Sequence, residues 1–196
     1  MHRVHPDREH GSPRPLRALI VVVVVMVALT AGWPLASLAV SDNQPVTAGQ
    51  TLGIGSGDRS ATFTPGPDWV AHNAHTNLLQ YWSLSDGPVD VSVIYVLLLN
   101  RNQVGRLWPG LNKILRLNDG SAQLGTPAAV TSASGVRGQE GTVTASDWAG
   151  QAAVFPSPDN HFAIELVSVA PPADRAAAVA DAALVSRSLR FSAGAQ

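Results

Sequence analysis

The most extended feature of the polarity pattern is a run without charge. Ala18–Val40 spans 23 residues, includes five consecutive valines at Val21–Val25, and contains no Asp, Glu, Lys or Arg. At a helical rise of 1.5 Å per residue it reaches about 35 Å, more than the roughly 30 Å of a bilayer core. Its flanks are unequal. Arg14 and Arg17 stand just before it, and the next basic residue is Arg59. Cationic flanks stay cytoplasmic. The pattern therefore predicts a basic cytoplasmic tail at residues 1–17, one transmembrane signal anchor at 18–40, and an extracytoplasmic remainder. Trp33-Pro34 suits an interfacial aromatic followed by a helix end. The competing reading is a cleaved signal peptide, with small residues at Ser37 and Ala39 of Ser37-Leu38-Ala39, which leaves a secreted domain. A buried soluble helix fits less well, because 23 uncharged positions exceed what such a helix carries.

Beyond residue 40 the periods shorten. Ser41–Gln50 is polar and reads as a linker, with a domain at 51–196. Ser60–Thr64 predicts a short strand ending at the turn Pro65-Gly66-Pro67. Thr76–Leu84, with Leu78, Leu79, Tyr81 and Trp82, predicts a second strand. Val89–Leu99 starts with strict alternation, Val89, Val91 and Val93 against Asp90 and Ser92. It turns apolar on both sides from Ile94 to Leu99, which predicts a central strand covered on both faces in its later half. Ala128–Ser134, Gln139–Ala145, Gly150–Phe155 and Phe162–Val169 complete the strands. In the last, Phe162, Ile164 and Leu166 share one face, Val167 and Val169 the other.

Two stretches follow helical periods. Val104, Leu107, Trp108, Leu111, Ile114 and Leu115 form one apolar stripe. Pro109 confines the regular helix to Leu107 onward, and Asn118-Asp119-Gly120 stops it. Pro172–Ser188 is the second helix, with seven alanines, Asp174 near its start and Arg187 near its end. Strands preceding one crossover helix, then a meander and a final helix, predict an α+β fold. The expected architecture is a mainly antiparallel sheet with two packed helices, preceded by one N-terminal transmembrane helix.

Composition narrows the chemistry. The 196 residues include no cysteine, which removes disulfides, thiolate metal sites, cysteine nucleophiles and a lipid-modified cysteine anchor. The net charge is −1 and only 14% of residues are charged, too little basic surface for nucleic acid. Arginine heavily outnumbers lysine, since Lys113 is the single lysine, and Ala, Gly and Pro abound. This pattern suits a GC-rich bacterial genome.

No catalytic motif is complete. Gly53-Ile54-Gly55-Ser56-Gly57 lacks the following helix that a dinucleotide fingerprint needs, and reads as a flexible lead-in. His72 and His75 have metal-ligand spacing with Asp68 four residues earlier, but they sit in a loop running into a strand, where solvated histidines are the plainer reading. Only His161 is available as a further imidazole in the domain. A nucleophile elbow of the Gly-x-Ser-x-Gly type is missing. Glu140, Asp147 and Glu165 are possible paired carboxylates on neighbouring strands. Trp108 belongs to the helical stripe and hence to the core. Trp148, after Asp147 and before Ala149-Gly150, is placed at a hairpin turn. No cofactor and no metal are expected.

Some residues also suggest a kinship. Phe63, Pro65, Gly66 and Trp69 form an F-x-P-x-x-x-W opening. Val89–Val93 is a VSV-like strand with a helix after it, and Ser188-Leu189-Arg190-Phe191 closes the last helix. Together they resemble the PsbP/Mog-like fold over about Ser60–Phe191, most closely its exported, membrane-anchored or lipoprotein versions of unknown function in actinobacterial envelopes. The resemblance implies an accessory or binding role without catalysis. The chain lacks their lipobox cysteine, and no functional residue carries over. The sequence thus predicts a non-catalytic envelope module, held in the membrane by Ala18–Val40, with a protein or lipid partner. The alternatives are an extracytoplasmic hydrolase or a small-ligand carrier. Its expected contact rim carries His72, His75, Asp147 and Trp148, polar or amphipathic side chains in turn-like surroundings.

Overall fold

The computed structural model describes residues 42–192, so the expected tail 1–17 and anchor 18–40 lie outside the described residues. Among the described residues no helix is long and apolar enough to cross a membrane. In chain order the strands are β1 (Asn43–Pro45), β2 (Leu52–Ser56), β3 (Arg59–Phe63), β4 (Val70–His72), β5 (Tyr81–Asp86) and β6 (Val89–Leu97). After a 3-10 segment comes helix α1 (Leu107–Asn118), then β7 (Gln123–Leu124), β8 (Ala128–Thr131), β9 (Arg137–Thr144), β10 (Ala149–Pro156) and β11 (Phe162–Ala170). Helix α2 (Arg175–Ser188) and β12 (Arg190–Phe191) close the chain. Among the described residues the architecture is α+β with a mainly antiparallel sheet and two α-helices.

The large sheet runs β1-β4-β5-β6-β11-β10-β9-β7, with β8 also on β9, and β12-β3-β2 form a small second sheet. Every pairing is antiparallel. The centre of the large sheet has two ends. One carries Leu97 opposite Phe162, and the other carries Val89 opposite Asp86.

Alternation on β11 feeds two cores. Phe162, Ile164 and Leu166 join α2, the small sheet, Trp69 and Trp82 on one face. Ala163 and Val167 join α1 on the other. Helix α2 buries Ala178, Ala182 and Val185, a small-residue stripe that lets its backbone lie close to the strands. Helix α1 buries Leu107, Trp108 and Leu111, with Pro109 in its first turn as the sequence predicts. The Trp108 ring rests on Gly141, where an added Cβ would stand 2.9 Å from Cζ2, so that strand position has no room for a side chain.

Four expectations need correction. The segment expected as a linker contributes β1, which pairs with β4, and Val46 behind it is buried with its N–H donated to the Trp69 carbonyl at 2.7 Å. The lead-in Gly53–Gly57 belongs to the hairpin β2–β3, in which Gly57 turns the chain at φ 59°. The strand expected over Thr76–Leu84 starts only at Tyr81. The Asn77 side chain accepts the Leu79 N–H at 3.1 Å, and its carbonyl accepts the Gln80 N–H at 2.8 Å. This local turn competes with the ladder and puts Leu78 and Leu79 outside. Finally, Leu97 and Leu99 are exposed. β5 ends its pairing with β6 at Tyr81 opposite Ile94, so the far end of β6 overhangs that neighbour.

Candidate functional site

The four expected contact residues do not form one rim. His72 ends β4, and His75 lies exposed in a 3-10 turn just after it. Asp147 is exposed and Trp148 half-buried in the turn between β9 and β10. From β4 to β10 the sheet crosses four strand intervals, roughly 19 Å at the usual strand spacing. The Trp148 indole N–H is donated to Asp119 Oδ2 at 3.0 Å, tying the turn to the residue that ends α1. Among the described residues no three His, Asp or Glu side chains converge on a metal position.

The expected carboxylates are also dispersed. Glu140 stands opposite Ala153, on the α2 face, and accepts from Gln151 Nε2 at 2.8 Å. Glu165 stands opposite Val154 and Ile94, on the α1 face. It is 3% exposed, and burial pushes its carboxyl up to about 7. A carboxylate there is expensive because nothing replaces its hydration.

Two arrangements emerge that sequence spacing does not reveal. The first crosses three strands. His72 Nδ1 lies 2.8 Å from Asn43 Oδ1, and His72 Nε2 lies 3.0 Å from Ser85 Oγ. An amide oxygen accepts only, so Nδ1 carries the proton and Nε2 accepts the Ser85 hydroxyl, a tautomer assigned from this network. This is a base-and-hydroxyl geometry. Ser85 lies within β5, paired on both sides, rather than on a strained elbow. The chain of bonds also clasps β1 to the sheet.

The second lies at the Leu97 end. Leu78, Leu79, Leu97 and Leu99 are 59%, 56%, 51% and 85% exposed. A cleft of about 440 Å³ joins Leu79 and Leu97 to Gly55, Asp58 and Arg59 of the β2–β3 tip and to Tyr95. Its floor is rigid. Tyr95 stacks on Phe162 with ring centres 4.9 Å apart, and Phe162 touches Phe191 at 5.3 Å. Burial raises the Tyr95 phenol above its ordinary value, opposed by the Arg59 charge. These leucines read in sequence as buried strand positions. Only the turn at Asn77 and the overhang of β6 expose them.

No family model, curated protein or solved structure matches the chain.

Proposed function

We propose that the protein is a single-pass membrane protein of the bacterial envelope whose extracytoplasmic domain acts by binding rather than catalysis, with a protein or lipid partner. The observation that carries this reading is the group of four exposed leucines at one end of the sheet. Exposed large apolar side chains that gather around a cleft mark a contact surface. The uncharged run Ala18–Val40 and its one-sided arginines support the anchor. The antiparallel sheet with a long terminal helix on one face supports the PsbP/Mog-like kinship that forms part of the proposal. Native membranes test it. The protein should resist alkaline extraction, and protease added outside intact cells with a permeabilised outer layer should remove the domain. Release of a chain that begins at Val40 into the medium refutes the anchor.

The Asn43–His72–Ser85 chain favours a second reading, a hydrolase with Ser85 as nucleophile, His72 as base and Asn43 as its orienting partner. A fluorophosphonate that labels the protein, and no longer labels Ser85→Ala, establishes it. Absence of labelling removes it.

A further inference from the structure

We propose that the Leu97 end of the sheet rests on the lipid surface itself, with its leucines in the headgroup region of an anionic bilayer. This rests on the membrane-anchored reading above and names the partner for it. Two observations converge on lipid.

The first is apolar protrusion. Leu78 and Leu79 occupy a turn tip, Leu97 ends β6, and Leu99 lies in the loop that follows it. Separate segments thus present aliphatic side chains, two of which, Leu79 and Leu97, line an open cleft. That suits a fluid interface, which accepts side chains at any spacing.

The second is charge segregation. Arg59 at the β2–β3 tip, Arg101 after β6 and Arg137 at the start of β9 are exposed around the Leu97 end. The acidic groups at that end are Asp58, beside Arg59 in the cleft, and Asp159, which lies 2.7 Å from His161. The opposite end gathers Asp86, Asp90, Asp119, Asp147 and Asp174 in its turns and last strand positions. An anionic surface repels that end and attracts the other, and arginine stems extend their charged heads to phosphates while their methylenes stay with apolar groups.

The absence of cysteine makes the test clean. Full-length protein with Leu99→Cys, and separately with Asp147→Cys, is labelled with an environment-sensitive fluorophore. Each is reconstituted in phosphatidylcholine vesicles containing one quarter phosphatidylglycerol, with or without bromine on the acyl chains. The label at 99 should be quenched at least threefold more than the label at 147. The difference should shrink by half or more in Arg59→Glu/Arg101→Glu protein or in vesicles of phosphatidylcholine alone. Equal, weak quenching at both sites in protein that resists alkaline extraction overturns the lipid contact and leaves the anchor standing. Protein extracted by alkali overturns both. In native membranes, a photo-crosslinker at position 99 should capture lipid. Capture of a single protein there instead overturns the lipid assignment.

Discussion

Trp148 and Asp119 meet across the acidic end of the molecule, indole Nε1 to carboxylate Oδ2 at 3.0 Å. Asp119 also accepts from the Ser121 hydroxyl at 2.7 Å and the Ser121 N–H at 2.9 Å. These bonds, Ser121 foremost, hold its carboxyl below the ordinary range. Trp148 is therefore a bracket between a hairpin turn and the end of α1. Trp148→Ala should cost about 2 kcal/mol, as for truncation of a partly buried aromatic, read as a lower melting temperature. Trp148→Phe, which keeps a ring and removes the donor, should raise the Asp119 pKa toward its ordinary value. A depressed carboxylate contributes stability above its unfolded pKa and loses it as pH falls through the folded one. The phenylalanine variant should lose part of that acid-side dependence. An unchanged melt for the alanine variant would place Trp148 outside the structural framework.

Leu111 and Lys113 lie two positions apart on α1, one buried and one exposed. Leu111→Asp should unfold the domain, since it sets a carboxylate into the core with Trp108 and Val154 at a cost above about 4 kcal/mol. Lys113→Asp should shift the melt by less than about 0.5 kcal/mol. Similar circular-dichroism melts for the two variants would contradict the assigned helix face.

Glu165 gives the domain a pH dependence of known sign. Its folded value of about 7 lies above the ordinary 4.5, so the folded state holds the proton more tightly than the unfolded state. The associated stability is complete below about 4.5 and is lost as pH rises to about 7. The shift corresponds to roughly 3 kcal/mol. Glu165→Gln should remove most of this slope in urea titrations at a series of pH values. A wild-type slope retained by the glutamine variant would locate the dependence elsewhere.

His72 joins β1 to β5 through Asn43 and Ser85. His72→Ala should cost about 1–2 kcal/mol and speed amide exchange at Val46, whose N–H bonds to Trp69. Exchange should stay slow at Leu166 in the sheet centre. Uniform acceleration at both sites would argue against a local clasp.

Several features were legible in one dimension because local periodicity is enforced by backbone geometry. The stripe through Leu107, Trp108 and Leu111 became α1, and the two-faced pattern of β11 became the partition between two cores. Pro109 bounded its helix because a proline interior to a helix removes a donor. The antiparallel α+β architecture followed from these elements and their order. Very short strands were less visible. β1, β4 and β12 are two or three residues long and exist only because a neighbour completes their hydrogen bonds. The leucines at 78, 79, 97 and 99 show the same limit from the other side. Their hydrophobicity predicts burial, yet a side chain is buried only if another layer arrives to cover it. Here an asparagine turn and a short neighbour withhold that layer. The Asn43–His72–Ser85 contacts likewise join residues 13 and 29 positions apart. Periodicity along the chain sets which faces a segment offers. Which distant segments meet those faces, and which are left to solvent, depends on sheet register, a relation between segments that no single stretch of sequence contains.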